Sequence, residues 1–234
     1  MGKIKCDREL FRKLLCEFTG TAMLLALGCT LSVGIRGDEL GIGWGLVYTI
    51  VLHTFAFLCG AHVNPSVSIC ATILGHMDWA LMLLYILMQF LGSFLGFGLA
   101  YAVTPRFSGD ICLTVTGGVK EWKMLLVEFM LISILLLTFC SIWDKRNAGG
   151  FDSLSVRVGF VIAGLFYAGH RYTGSSMNFV RTFAPGVVQL EFKGMWTYFV
   201  AHMLGAVLVP LLWRFVLAEK SSDTPSEATI ATAK

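Results

Sequence analysis

The sequence predicts an all-α membrane protein with six transmembrane helices, two re-entrant half-helices and an inverted internal repeat. Three observations support this fold class. Six apolar stretches are long enough to cross a bilayer, which takes about 20 helical residues. Two shorter apolar segments each follow an asparagine, Asn64 or Asn178. The two halves of the chain also carry the same types of residue in the same order.

The composition is that of a membrane protein. Of the 234 residues, 56% are hydrophobic and 14% are charged, whereas a soluble domain carries roughly 25% charged residues. The net charge of +3 is small and spread along the chain, so no nucleic-acid partner is expected. The length predicts one domain. The sequence has no acid–base pair, activated nucleophile or Cys/His metal spacing, which argues against an enzyme, a metal site and a cofactor.

The long apolar stretches are predicted as membrane helices in chain order. Their approximate bounds are Leu14–Gly34, Gly41–Gly60, Trp79–Val103, Trp122–Ile142, Leu154–Tyr172 and Met195–Leu217. Two further segments, Pro65–Gly75 and Phe179–Leu190, have about half the length that a span needs. They are therefore predicted to be re-entrant half-helices.

Each half-helix starts at an asparagine inside apolar sequence. Asparagine is a preferred N-cap, and a proline such as Pro65 is tolerated at the first helical position. We expect each side-chain oxygen to cap its helix and each NH₂ group to stay free to donate into a cavity. Two positive helix ends at one place would disfavour cations. The alternative is a pair of ordinary buried asparagines bonded to the backbone.

The two halves, residues 14–103 and 121–217, repeat. The matching positions are Glu17 and Glu128, Asn64 and Asn178, and Gln89–Gly92 and His202–Gly205. An odd number of spans in each half gives the halves opposite orientations, an arrangement typical of transport proteins. Glu17 and Glu128 are predicted to accept hydrogen bonds from nearby backbone, because an unpaired carboxylate inside the membrane is costly.

Basic residues predict the orientation. They precede the first span, follow the fourth and close the sixth: Lys3, Lys5, Arg8, Arg12 and Lys13, then Lys145 and Arg146, then Arg214 and Lys220. The positive-inside rule places both termini in the cytosol. Residues 1–13 are predicted as a cytoplasmic N-terminal segment. Residues 218–234 are predicted as a disordered cytoplasmic tail, whose Ser and Thr residues are either simply solvated or phosphorylated.

The seven cysteines do not predict redox chemistry. Five of them lie in apolar runs, where we expect small buried thiols: Cys16, Cys29, Cys59, Cys70 and Cys140. Cys112 lies in a predicted loop, and Cys6 is expected to face the cytosol.

These motifs together resemble the aquaporin (major intrinsic protein) family. The resemblance covers roughly Leu10–Leu217 and rests on Cys16-Glu17-Phe18, Gly60-Ala61-His62-Val63-Asn64-Pro65 and Thr173-Gly174-Ser175-Ser176-Met177-Asn178. It implies that residues 14–217 form a channel domain. It also implies that Asn64 and Asn178 form a pore constriction, with Glu17 and Glu128 as structural carboxylates that brace the loops.

The family pattern further implies a selectivity filter of Trp44, Phe166, Ser175 and Arg181. An arginine inside a membrane is costly and usually lines a polar path. A salt bridge from Arg181 to Glu191 or Asp110 is the alternative. Trp44 and Phe166 have alternatives as well: an aromatic at the membrane interface, or a packed helix contact. Water-selective members of the family usually have histidine where Phe166 stands.

The half-helix starts depart from the family pattern. Ser66 follows Pro65 where the family usually has alanine, and Phe179-Val180 replaces proline-alanine. Loss of the proline removes its fixed φ and returns an N–H group to the helix start. If Phe179 and Val180 pack outward, the pore stays open, whereas inward packing would narrow it.

Three functions follow as hypotheses. The first is a passive water channel that excludes protons and ions, and the second is a channel mainly for glycerol, urea or another small neutral solute. The third is a closed-pore junctional or regulatory protein, suggested by Phe166, Phe179 and Val180. The resemblance implies a homotetramer in membrane lipid, and the plasma membrane is the default location.

Overall fold

The structure, a computed structural model, describes residues 7–35, 39–105, 111–114, 118–147 and 153–218. These residues form an all-α bundle. In chain order its helices are α1 Arg8–Gly34, α2 Glu39–Cys59, α3 Pro65–Ile73, α4 Trp79–Val103, α5 Glu121–Trp143, α6 Leu154–Thr173, α7 Phe179–Val188 and α8 Met195–Leu212. A turn of π-helix, Trp213–Leu217, continues α8. Residues 219–234 of the predicted tail lie outside the described residues, as do Lys3, Lys5, Cys6, Arg106 and Asp110.

Five helices are long and apolar enough to cross a membrane: α1, α2, α4, α5 and α8 with its π-helical turn. The sixth long helix, α6, has 20 residues but carries Arg157, His170 and Arg171, which reduce its hydropathy. The fold is therefore the predicted membrane bundle. The helix α1 begins six residues before the predicted span, because the Asp7 side chain accepts a hydrogen bond from Leu10 N at 2.9 Å and caps the helix.

The two halves pack in the same way. The first and last long helices of each half form a pair, α1 with α4 and α5 with α8, while α2 packs against α6 between the halves. The half-helices are shorter than predicted, nine residues in α3 and ten in α7. Each one contacts the last long helix of the opposite half, α3 with α8 and α7 with α4. This exchange brings the N-termini of α3 and α7 together inside the bundle.

Glycine permits close contact between α1 and α4. A Cβ atom at Gly92 of α4 would overlap the backbone carbonyl of Phe18 in α1. Membrane bundles depend on such close approach, since lipid supplies no hydrophobic force between helices.

The prediction for Cys29 is wrong. Cys29 of α1 forms a disulfide with Cys112, which lies between α4 and α5 and 83 residues away in sequence. An apolar neighbourhood in the sequence did not separate a buried thiol from a buried disulfide. The other four described cysteines, Cys16, Cys59, Cys70 and Cys140, are free and buried, as predicted.

Candidate pore

The two asparagines at the half-helix starts are joined by a crossed pair of hydrogen bonds. Asn64 Nδ2 donates to Met177 O at 2.8 Å, and Asn178 Nδ2 donates to Val63 O at 2.8 Å. Each amide therefore binds the carbonyl of the residue directly before the other asparagine. Both asparagines are buried. This exchange fixes the two helix N-termini against each other.

The two caps are unequal, and this differs from the expectation of equal caps. Asn64 Oδ1 accepts from Ser66 N at 3.0 Å and caps α3. Asn178 Oδ1 has no hydrogen-bond partner among the described residues, and α7 has no side-chain cap. The helix α7 begins with a tighter turn, in which Arg181 N donates to Asn178 O at 3.1 Å. The half that lost its proline has thus lost its cap as well.

The amide of Asn178 also has a second partner. Its Nδ2 donates to the hydroxyl of Tyr48 at 3.3 Å, in addition to Val63 O. Both N–H groups of Asn178 are therefore used within the protein, whereas we expected the NH₂ group to be free. Asn64 Nδ2 uses one hydrogen on Met177 O and keeps the second for another acceptor.

Two buried carboxylates hold the loops that lead to the asparagines. Glu17 accepts from His62 N at 2.7 Å and from Val63 N at 2.9 Å. Glu128 does the same in the other half, from Ser176 N at 2.9 Å and Met177 N at 3.0 Å. In each loop these are the two residues before the asparagine. Backbone donors thus replace the water that each carboxylate loses on burial.

The side chains that match in the repeat also bind these carboxylates. Gln89 Nε2 donates to Glu17 Oε2 at 2.9 Å. His202 Nε2 lies 3.0 Å from Glu128 Oε2. The repeat in the sequence is therefore a repeat of contacts, with an amide in one half and an imidazole in the other.

The loops also share a strained backbone. The residues four, three and one before each asparagine have positive φ in both halves: Gly60, Ala61 and Val63, then Gly174, Ser175 and Met177. Only glycine adopts this conformation at little cost. The hydrogen bonds to Glu17 and Glu128 therefore stabilise loops that local preferences oppose.

The four predicted filter residues line one small cavity. Trp44 of α2, Phe166 of α6, Ser175 and Arg181 of α7 surround it, together with Tyr48, Ile162, Ser176 and Met177. The guanidinium carbon of Arg181 lies 4.9 Å from the centre of the Trp44 ring. Arg181 Nη1 and Trp44 Nε1 have no hydrogen-bond partner among the described residues. The cavity therefore presents unused donors beside aromatic walls.

Neighbouring residues fix the positions of the cavity walls. Ser175 Oγ donates to Phe166 O at 3.1 Å, which ties the loop before α7 to α6. The Phe166 ring stacks on His170 with centroids 4.7 Å apart. A Cβ atom at Gly28 of α1 would overlap the Trp44 ring, so the glycine provides the space that the indole occupies.

Arg181 has no carboxylate partner among the described residues. Of the two alternatives for a salt bridge, Glu191 accepts from Lys193 N instead, and Asp110 lies outside the described residues. Among the described residues, the guanidinium of Arg181 contacts the Trp44 ring in a cation–π interaction instead of a salt bridge.

Phe179 packs away from the cavity. Its ring contacts Phe90 of α4, Phe183 of α7 and Phe199 of α8, with centroids 6.3, 5.4 and 5.2 Å apart. Neither Phe179 nor Val180 lines the filter cavity, although both are buried. Phe179 thus stands where the first half has proline, and its ring packs in a buried aromatic cluster away from the cavity.

Tyr48 lines the cavity and contacts Asn178, and the sequence did not predict either contact. Tyr48 lies four residues after Trp44 on α2, so both side chains share one helix face. That spacing was the available signal. Nothing near Tyr48 in the sequence indicates its partner, because Asn178 lies 130 residues away.

Comparisons with known proteins show the family to which the chain belongs. Residues 5–213 match the sequence model of the family described as Major intrinsic protein. The lens fiber major intrinsic protein of Lithobates pipiens is 30% identical over 216 residues, which cover 89% of this chain and 82% of that protein. Aquaporin-4 of Mus musculus is 29% identical over 211 residues, which cover 86% of this chain and 65% of that protein.

A solved structure has the same fold. The aquaglyceroporin from Plasmodium falciparum superposes with a TM-score of 0.79 at 26% identity, and the match covers 89% of this chain and 97% of that one. The family model matches most of this chain, and the superposition covers nearly all of the aquaglyceroporin chain. The chain therefore belongs to the major intrinsic protein family of membrane channels, which are not enzymes.

Proposed function

We propose that this channel conducts water down an osmotic gradient while it excludes protons and ions. The observation that carries the proposal is the meeting of two helix N-termini at the crossed asparagine pair. Each helix end carries a positive dipole equivalent to about half an elementary charge. A cation at this point meets two positive helix ends, whereas a water molecule can present its oxygen to the N–H group that Asn64 keeps free.

The filter supports the same function. Arg181 has an unused N–H group and lies beside Trp44 in a cavity too small for a large solute. A neutral molecule with an acceptor oxygen gains a hydrogen bond there, and a cation is repelled. Asn64, Asn178, Trp44, Phe166, Ser175 and Arg181 are accordingly the residues that we assign to the path.

Conduction of glycerol or urea is the second candidate. Trp44, Tyr48 and Phe166 give the cavity apolar walls, which suit the carbon side of a small solute, and no histidine stands at the Phe166 position. A solved relative is named an aquaglyceroporin. The Tyr48 side chain at the wall of this small cavity favours the smaller solute, water.

The closed-pore hypothesis loses one of its grounds. Phe179 packs against Phe90, Phe183 and Phe199, so it does not narrow the filter cavity. Phe166 remains at the cavity wall. We therefore rank this hypothesis below both transport functions.

The assembly and location are part of the proposal. The large apolar side chains exposed on α2, α4 and α8 suit contact with lipid or with further copies of the chain. The family resemblance favours a homotetramer in the plasma membrane with both termini cytoplasmic. Residues 14–217 would form the channel domain, between the terminal segments 1–13 and 218–234.

Purified protein in liposomes tests the function. After an osmotic step with an impermeant solute, stopped-flow light scattering should show faster shrinkage than in empty liposomes. A glycerol or urea gradient then compares the two candidate cargoes, and a pH gradient measures proton leakage. Shrinkage no faster than in empty liposomes under every gradient would reject both transport functions.

A further inference from the structure

Tyr48 stands between the filter and the asparagine pair. Its side chain lines the same cavity as Trp44 and Arg181, while its hydroxyl reaches Asn178 Nδ2 at 3.3 Å. One residue of α2 therefore touches both regions that we assign to the path. The ring belongs to the buried core, so it lies inside the bundle and not on the lipid face.

The Tyr48 hydroxyl accepts a hydrogen bond from the side-chain amide of Asn178. One N–H group of Asn178 binds Val63 O at 2.8 Å, and the other binds Tyr48 at 3.3 Å. No N–H of this amide remains for a passing molecule while Tyr48 stays in place. Since the Tyr48 oxygen accepts from Asn178, its O–H group is available to donate. It donates to no acceptor among the described residues.

The two hydrogen bonds of Asn178 differ in length. Ordinary N–H···O bonds cluster near about 2.9–3.0 Å. The bond to Val63 is as short as those that hold the loops, whereas the bond to Tyr48 is long. The Tyr48 contact is therefore the weaker of the two.

We propose that Tyr48 is a third constriction of the path, which limits the rate of water passage and donates to the passing water in place of Asn178. The proposal rests on the proposed function, in that this path carries water. Water still meets a hydrogen-bond donor at this point. Asn178 N–H donates to the Tyr48 oxygen, and the Tyr48 O–H group donates to water. The ring adds a steric barrier that an aliphatic side chain would not.

Two substitutions separate the hydroxyl from the ring. Tyr48→Phe removes the hydroxyl and frees the Asn178 donor, while the ring stays. Tyr48→Val removes both. We expect the water permeability per protein to rise in Tyr48→Phe by roughly fivefold, the factor that one net hydrogen bond corresponds to, and to rise further in Tyr48→Val. The temperature dependence of shrinkage should become less steep in the same order.

Matched controls use Tyr101, which is exposed on α4. Tyr101→Phe and Tyr101→Val should leave water permeability at the wild-type value. Gel filtration and the protein content of the liposomes establish that each variant is folded and inserted. If Tyr48→Val does not fold, Tyr48→Phe decides the question, since it keeps the shape of the ring.

The outcomes separate this inference from the proposed function. Wild-type conduction with unchanged or reduced permeability in Tyr48→Phe would overturn the role of Tyr48 and leave the water channel intact. An inactive wild type that Tyr48→Val converts into a water channel would support the constriction and reject conduction by the native chain. Increases in Tyr101 variants equal to those in Tyr48 variants would also overturn the inference.

Discussion

The guanidinium of Arg181 rests on the face of the Trp44 ring, with its central carbon 4.9 Å from the ring centre. Arg181 belongs to α7 and Trp44 to α2, so the contact joins the two halves of the chain beside the cavity. An ion pair would cancel the charge, whereas a cation–π contact preserves it. Arg181 can therefore act as an electrostatic barrier as well as a hydrogen-bond donor.

Replacement of Arg181 tests that barrier. A unit charge opposes a cation about 4 Å away by about 4 kcal/mol at an effective dielectric constant of about 20. We expect Arg181→Val to admit protons and urea that the wild type excludes, because it removes this charge and widens the cavity. Proton flux under a pH gradient and urea uptake in liposomes measure the change. Arg12→Val, which removes the same charge from the exposed start of α1, is the control, and equal selectivity in both variants would remove Arg181 from the filter.

Phe179→Ala should reduce the stability of the protein without changing its water permeability. The Phe179 ring packs against Phe90, Phe183 and Phe199, so we expect a loss of about 3 kcal/mol, the lower end for Phe→Ala in a core. Thermal unfolding in detergent should show a lower midpoint. Water permeability per folded protein should not change, because Phe179 does not line the cavity. Faster shrinkage in liposomes would mean that the ring narrows the path.

Phe166→Ala should give the opposite pattern. Phe166 forms a wall of the cavity that Arg181 also lines, and it is buried. Its truncation widens the filter and should raise urea and glycerol uptake relative to water. The ratio of solute to water permeability is the relevant measurement, with Phe179→Ala as the aromatic control. A ratio equal to that of the wild type would place Phe166 outside the filter.

The sequence predicted the features that recur in both halves of the chain. It did not predict contacts between side chains that are far apart in sequence. The matching of Glu17 with Glu128 and of Gln89 with His202 is visible as order along the chain, and the contacts follow it. The direction of the Phe179 ring was open, since it depends on aromatic residues of α4 and α8.

The Cys29–Cys112 disulfide and the contact between Tyr48 and Asn178 could not be predicted from the sequence for the same reason. Cys29 and Cys112 are 83 residues apart, and Tyr48 and Asn178 are separated by 130. Hydropathy describes each residue by its neighbours in sequence. It therefore gives Cys29 the same interpretation as the free cysteine Cys16.

Ser175→Cys should create sensitivity to mercury. The four described free cysteines are buried, and none lines the filter cavity, whereas Ser175 does. We expect HgCl₂ to reduce water permeability in the variant and to have little effect on the wild type. A thiol should reverse the block. The same thiol treatment of the wild type controls for reduction of the Cys29–Cys112 disulfide. Strong inhibition of the wild type would show that a native thiol is accessible from the path.

Removal of Glu17 should unfold the loop before α3. The carboxylate accepts from His62 N, Val63 N and Gln89 Nε2, and the first two donors belong to a loop in which Ala61 and Val63 have positive φ. Glu17→Ala leaves the two buried backbone donors unpaired, at about 1–3 kcal/mol for each one, while Gln89 Nε2 keeps its bond to Ser68 Oγ. We expect a sharp fall in the thermal midpoint and in the yield of folded protein in detergent.

Glu17→Gln gives the graded comparison. Its amide keeps one acceptor oxygen but points an NH₂ group at a position that donors already surround. Stability should therefore rank wild type above Glu17→Gln and Glu17→Gln above Glu17→Ala. Glu39→Ala removes a carboxylate from the exposed first turn of α2 and should match the wild type. If Glu17→Ala were as stable as Glu39→Ala, the loop would be held by its own packing, and the carboxylate would not be needed to hold the asparagines in place.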